Sequence, residues 1–269
     1  MNLLNVIFLG FVQGITEFLP VSSSGHLIIA REILGLQTNY GLAFDAVLQL
    51  ATTLVIFVYF RKTIWSLILD CLNFLNRKTL EKQKKIYLGA ILFATLPAVI
   101  LGLFLEELME TAFRNTSLVA VSLIFGAFLM LVAENFLKRN INKSNQEMSL
   151  STGLKIGFFQ SLAIIPGMSR SGVTIAGGLF SGLNRENATK FSFIIALPIL
   201  FGSGIKKLLD LSMAGLLSDI GFELLIGSVS AFVFGFFAVH FLVNFLKNHT
   251  LKVFVWYRLI LAALILIIF

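Results

Sequence analysis

Apolar runs of about twenty residues recur along this 269-residue chain, at about 40–60, 86–105, 117–137, 187–205, 222–246 and 251–269. A helix of that length is about 30 Å long, the thickness of a bilayer's hydrocarbon core. Only helices and closed barrels cross that core, because an unpaired backbone group has no water to bond there. The ten-residue alternation of a barrel strand is missing. Only 13% of the residues are charged, where a soluble domain has about 25%. The fold class is an all-α polytopic membrane protein with six predicted full spans. Its 28 phenylalanines suit lipid-facing and helix-packing surfaces.

Two polar stretches interrupt this pattern. One is Gln13-Gly-Ile-Thr-Glu17-Phe-Leu-Pro20-Val-Ser-Ser-Ser24-Gly-His26, flanked by short apolar pieces at 1–12 and 27–36. The other, Gln160-Ser-Leu-Ala-Ile-Ile-Pro166-Gly-Met-Ser169-Arg170-Ser171-Gly172, lies inside a glycine-rich segment over about 152–183. Polar groups at bilayer depth cost about 2.5–3.5 kcal/mol each on insertion scales, so they persist where they serve a purpose. Half-spans around a Pro/Ser/Gly break predict re-entrant helical hairpins, whose irregular backbone must line a cavity or be buried in protein.

The two stretches align with each other. At an offset of 147, residues 10–44 overlay 157–191 with identities at Gly10/Gly157, Phe11/Phe158, Gln13/Gln160, Ser22/Ser169, Ser24/Ser171, Gly25/Gly172, Gly35/Gly182, Leu36/Leu183 and Phe44/Phe191. Nine matches in thirty-five exceed the roughly three that a biased composition supplies, and they include both hairpin serines. The sequence predicts one membrane domain, 1–269, made of two repeats, about 1–147 and 148–269. Each repeat is a re-entrant hairpin plus three transmembrane helices. An odd number of crossings per repeat inverts the second relative to the first, an arrangement that builds a midplane site between repeats.

Charge sets the expected orientation. A basic loop over 61–85 and another over 138–151 fall on one side, opposite an acidic loop with Glu106, Glu107 and Glu110. The positive-inside rule puts the basic loops in the cytoplasm, so the first hairpin opens outward and the second inward. Lys206 and Lys207 fall on the outer side, against the rule. The net charge of +7 is spent on these loops, and no nucleic-acid partner is expected. The single cysteine, Cys71, excludes an intrachain disulfide. The N-terminal stretch has neither a basic n-region nor a small-residue cleavage site, so no cleaved signal peptide is expected.

The hairpins carry the chemistry. Gln13 and Glu17, four apart, share a helix face, where they could hold a metal ion, orient a water or position a histidine. Ser22, Ser23, Ser24 and Gly25 sit where a short helix begins, a natural anion site, although N-cap serines have the same look. Ser169, Arg170, Ser171 and Gly172 repeat the device with a guanidinium added. Arg170 either pairs with Glu17 or grips an anionic ligand bidentately, and the ligand is favoured. His26, just after the serines, could attack phosphorus or move protons near neutral pH. The set describes phosphoryl transfer inside a membrane, with a transporter or lipid flippase as the rival and a structural or channel protein behind it.

These residues resemble the two signature motifs of the undecaprenyl-diphosphate phosphatases, the bacitracin-resistance family. Further matches are Phe44-Asp-Ala-Val-Leu-Gln49, Asn184-Arg185, Phe191-Ser-Phe193, Pro198 and Tyr257-Arg258, so the likeness covers essentially the whole chain. The resemblance implies a bacterial plasma (inner) membrane enzyme, with its site facing the periplasmic side. It would hydrolyse undecaprenyl diphosphate to the monophosphate and inorganic phosphate, recycling the carrier for peptidoglycan synthesis and conferring bacitracin resistance. It also implies a divalent cation. Carried onto this sequence, the family's acidic motif falls on Gln13 and Glu17, its serine and histidine on Ser23 and His26, and its arginine on Arg170. Many members have Glu where this chain has Gln13, and an amide is the poorer ligand for a hard cation. Glu17 is therefore expected as the main metal ligand, with Gln13 auxiliary.

The expected mechanism follows. Arg170, Ser22, Ser24, Ser169, Ser171 and Gly172 bind the lipid diphosphate, with Mg²⁺ or Ca²⁺ partly held by Glu17. His26, assisted by Ser23 and Glu17, attacks phosphorus or activates water. For Arg258, an interfacial anchor beside Trp256 and Tyr257 weighs as much as a site role. Partners are a polyprenyl diphosphate lipid and the bilayer, with a homodimer left open.

Overall fold

The computed structural model of the chain describes residues 2–36, 41–105, 115–140 and 147–269, and every regular element among them is a helix. The first half comprises α1 (Leu3–Phe18), α2 (Ser23–Ile33), α3 (Gly41–Tyr59), α4 (Arg61–Leu75), α5 (Lys82–Phe104) and α6 (Thr116–Arg139). The second comprises α7 (Leu150–Ser161), a 3₁₀ turn (Leu162–Ile164), α8 (Arg170–Phe180), α9 (Arg185–Met213), α10 (Leu217–Asn248) and α11 (Lys252–Ile268). Both polar stretches are breaks between helices, as their Pro/Ser/Gly content predicts. The acidic residues Glu106, Glu107 and Glu110, and Lys143 of the second basic loop, lie outside the described residues.

The span count differs from the sequence expectation. Four helices, α5, α6, α9 and α10, are long and apolar enough to cross a membrane, and the bent pair α3–α4 brings the number to at most five. α11 has 17 residues, which at 1.5 Å per residue is about 25 Å, short of a full hydrocarbon core. The expected basic loop over 61–85 contains a helix instead. α4 turns 89° from α3, and its apolar residues recur at helical spacing between the charges that mark its ends.

The hairpins are held by close packing across the halves. α1 lies on α10, and a Cβ on Gly10 would sit 2.4 Å from the Gly227 carbonyl, one on Gly14 2.6 Å from that of Ala231. α7 lies on α5, where a Cβ on Gly153 would sit 2.5 Å from the Ala90 carbonyl and one on Gly157 2.7 Å from that of Phe93. Small residues at regular spacing let membrane helices approach to backbone contact. α5 runs through Pro97, which removes one helical donor. Gln160 Nε2 donates to the Ala94 carbonyl at 2.9 Å, next to the Phe93 carbonyl that loses its helical donor at Pro97. Below the hairpins, Glu134 takes both Arg185 Nε at 2.9 Å and Nη2 at 2.6 Å, and it also accepts the N–H of Leu251. That ion pair, with its carboxylate buried, ties α6, α9 and the start of α11 together.

Candidate active site

The two hairpin turns touch, and serines make the junction. Ser22 caps α2, its hydroxyl accepting the Gly25 N–H at 3.3 Å and the Gly167 N–H of the other turn at 3.1 Å. Ser169 caps α8 in the same manner, accepting the Gly172 N–H at 3.2 Å. Ser171 Oγ donates to the Leu19 carbonyl at 3.2 Å, the reciprocal bond across the junction. Ser24 and Ser171 lie beside the capping hydroxyls, at 3.4 and 3.3 Å. Both capping serines have positive φ, 75° and 67°. Non-glycine residues persist there only when the surroundings over-determine them, and such positions cluster at functional sites.

Arg258 fastens the junction from behind. It is fully buried, and it donates to the carbonyls of Pro20, Ser122, Leu123, Gly167 and Met168 at 2.8–3.3 Å. One guanidinium thus holds main chain from both turns and from α6. Gly126 leaves it room, since a Cβ there would lie 2.2 Å from Nη2. Its place is the protein core, not an interfacial anchor beside Trp256.

In front of the junction sits a charged cluster. Arg170 Nη2 is 3.1 Å from Glu17 Oε1, and Arg170 Nη1 donates to the Ser192 carbonyl at 3.3 Å. Glu17 Oε2 accepts Ser23 Oγ at 2.7 Å and Gln13 Nε2 at 3.0 Å. The shared helix face of Gln13 and Glu17 is as the sequence predicts. Of the two partners expected for Arg170, Glu17 is the one it meets here, where a buried guanidinium and a buried carboxylate neutralise each other. Gln13 Oε1 and Arg170 Nε are buried without a hydrogen-bond partner among the described residues.

His26 stands apart from that cluster. Its Nδ1 is 2.7 Å from the Ser22 carbonyl and its Nε2 is 2.7 Å from the Tyr257 hydroxyl, with the two rings nearly parallel. A carbonyl only accepts, so Nδ1 carries the proton, and in the neutral ring Nε2 accepts from Tyr257. The expected assistance from Ser23 and Glu17 is not what the ring receives. Those two side chains bond each other, while Ser22 and Tyr257 hold the imidazole. Tyr257 is the site residue missed in the sequence, although Tyr257-Arg258 stood among the matched positions.

The two turns share capping serines but differ in the chemistry they carry. At the 147-residue offset Glu17 faces Ile164, His26 faces Val173 and Ser23 faces Arg170. One half supplies carboxylate and imidazole, the other guanidinium. For a metal, no group of three or more His, Cys, Asp or Glu is found among the described residues. One carboxylate and the unpartnered amide oxygen of Gln13 do fit a hard cation that takes its other ligands from substrate phosphate and water.

Known proteins resemble this chain over its length. The family described as bacitracin resistance protein BacA matches residues 6–264. A protein named undecaprenyl-diphosphatase from Trichlorobacter lovleyi is 40% identical over 96% of this chain and 94% of its own. Another of that name from Rubrobacter xylanophilus is 37% identical over 98% and 97%. Undecaprenyl-diphosphatase 3 of Acinetobacter baylyi is 36% identical over 97% and 96%.

Proposed function

The chain belongs to the bacitracin resistance protein BacA family, and on that premise we propose that it hydrolyses undecaprenyl diphosphate to undecaprenyl phosphate and inorganic phosphate. The reaction returns lipid carrier to peptidoglycan synthesis and so confers bacitracin resistance. The observation that carries this reading is the Glu17–Arg170 pair, 3.1 Å apart and drawn from the two opposed hairpins, beside two capped helix starts. Helix N-termini, hydroxyls and a guanidinium are what a diphosphate requires.

In this reading Arg170, Ser22, Ser24, Ser169, Ser171 and Gly172 bind the two phosphates, and the prenyl tail stays between helices. Arg170 exchanges Glu17 for phosphate oxygens, freeing a carboxylate oxygen. Glu17, with Gln13 auxiliary, would hold Mg²⁺ or Ca²⁺, which supplies charge neutralisation to the departing phosphate. His26 acts through Nε2. Either it bonds to the terminal phosphorus as the bridging P–O bond breaks, and water then cleaves the P–N bond, or it takes the proton of a water that attacks directly. Ser22, by fixing the proton on Nδ1, leaves the lone pair on Nε2.

The exchange of packing partners, α1 on α10 and α7 on α5, supports an inverted repeat. A sixth crossing would come from α11. The membrane is the plasma (inner) membrane, with the site opening to the outer side, since the basic segment 61–85 favours the cytoplasm.

The test is phosphate release from undecaprenyl diphosphate by purified protein, with Glu17→Ala, His26→Ala and Arg170→Ala alongside. Release by the parent and its loss in all three variants is expected. Binding or flux of the lipid without release by the parent would contradict the reading and favour a transporter.

A further inference from the structure

We propose that α4 lies in the plane of the membrane surface and binds anionic lipid head groups.

α3 is apolar along its 19 residues, and the chain turns 89° before α4. A helix at a right angle to one that crosses the bilayer lies parallel to its plane, and the cations at both ends of α4 keep it at the surface, out of the hydrocarbon core. One side of α4 faces protein: Ile64 and Asp70 are buried, and Asp70 Oδ1 accepts Lys84 Nζ of α5 at 3.1 Å. Its outward side is a stripe of Trp65, Ile68, Leu69, Leu72 and Leu75 at helical spacing, with Trp65 63% and Leu75 70% exposed. A contiguous apolar stripe of this kind marks an interaction surface, and its position beside a span makes acyl chains the neighbour.

The ends of the stripe select the head group. Arg61 and Lys62 open α4, Arg77 and Lys78 follow its last turn, and Lys82 and Lys85 begin α5, all of them exposed. Across 61–85 there are seven basic residues against two acidic ones, and Asp70 is already taken by Lys84. The position of Arg77 and Lys78 is fixed by a capped helix end. Arg77 has φ 55°, its N–H donates to the Phe74 carbonyl, and the Lys78 N–H donates to that of Asn73. An apolar face rimmed with fixed cations, and a tryptophan at the boundary, is the pattern of a helix seated in an anionic interface.

The chain has two tryptophans, Trp65 and Trp256, so Trp256→Phe leaves Trp65 as the only indole. The full-length variant is reconstituted in vesicles of phosphatidylcholine and phosphatidylglycerol, with bromine at shallow or deep acyl positions of one lipid at a time. Trp65 should be quenched more by shallow than by deep bromines. Brominated phosphatidylglycerol should quench about fivefold more effectively per mole than brominated phosphatidylcholine, the order expected for one engaged cation. Lys62→Gln, Arg77→Gln and Lys78→Gln together should abolish that preference while phosphate release, and hence folding, persists. Equal quenching by both lipids would overturn head-group selection. A water-like emission insensitive to either lipid would overturn the whole assignment, as would a Trp65 shielded from lipid by a second copy.

Discussion

The Ser22 hydroxyl accepts the N–H of Gly167, 145 positions further along the chain, at 3.1 Å. That bond joins two turns that enter from different halves of the sequence. Ser22 thereby caps its own helix, spans the junction and, through its carbonyl, holds His26. Ser22→Ala leaves two buried N–H groups without their acceptor and should cost about 1–3 kcal/mol. Thermal denaturation in detergent should show this, with phosphate release falling in parallel because both helix starts lose their register.

Arg258 makes a larger claim on stability. Gly126→Ala forces a methyl to within 2.2 Å of its guanidinium, and overpacking of this kind costs about 1–3 kcal/mol. Both the melting temperature and kcat should fall. Arg258→Lys should do worse, because three ammonium donors cannot serve five carbonyls held by a planar fork.

Tyr257→Phe keeps the ring that stacks on His26 and removes only the hydroxyl at Nε2. The account predicts an unchanged melting temperature and a kcat lowered about tenfold, the value of one hydrogen bond that positions a reacting nitrogen. Steady-state phosphate release separates kcat from KM, and KM should move little because the phenol binds no phosphate. A wild-type kcat would remove Tyr257 from the site.

Gln13→Glu places a second carboxylate beside Glu17, where Gln13 now offers an unpartnered amide oxygen. A hard cation gains from the added charge. The cation concentration giving half-maximal release should fall about tenfold, corresponding to about 1.4 kcal/mol. Titration of Mg²⁺ or Ca²⁺ into chelator-treated enzyme measures it. An unchanged half-point would take Gln13 out of the cation's ligands.

Much of this site is legible in sequence because its determinants are local. The Pro/Ser/Gly breaks, the i,i+4 pairing of Gln13 with Glu17 and the capping serines all follow from spacing within a few residues. What is not legible depends on distant packing. His26 and Tyr257 lie 231 positions apart, and a tyrosine beside a tryptophan near a helix end reads as an interfacial belt. Arg258 reads the same way for the same reason, although the core closes over it. α4 is hidden differently. Counting the charges of 61–85 gives a loop, whereas the apolar spacing between them gives a helix. Whether Arg170 holds Glu17 or an anionic ligand is a question of competing partners, which composition does not answer.

The central claim is that Glu17 and Arg170, from opposed turns, act as one unit on a diphosphate. A double-mutant cycle on kcat/KM for undecaprenyl diphosphate tests it most directly, using Glu17→Gln, Arg170→Gln and both together. Each single change should lower kcat/KM about 10²–10³-fold, and the double variant should lose no more than the worse single, since the partners share one function. Losses that multiply, or a wild-type rate after either change, would contradict the account.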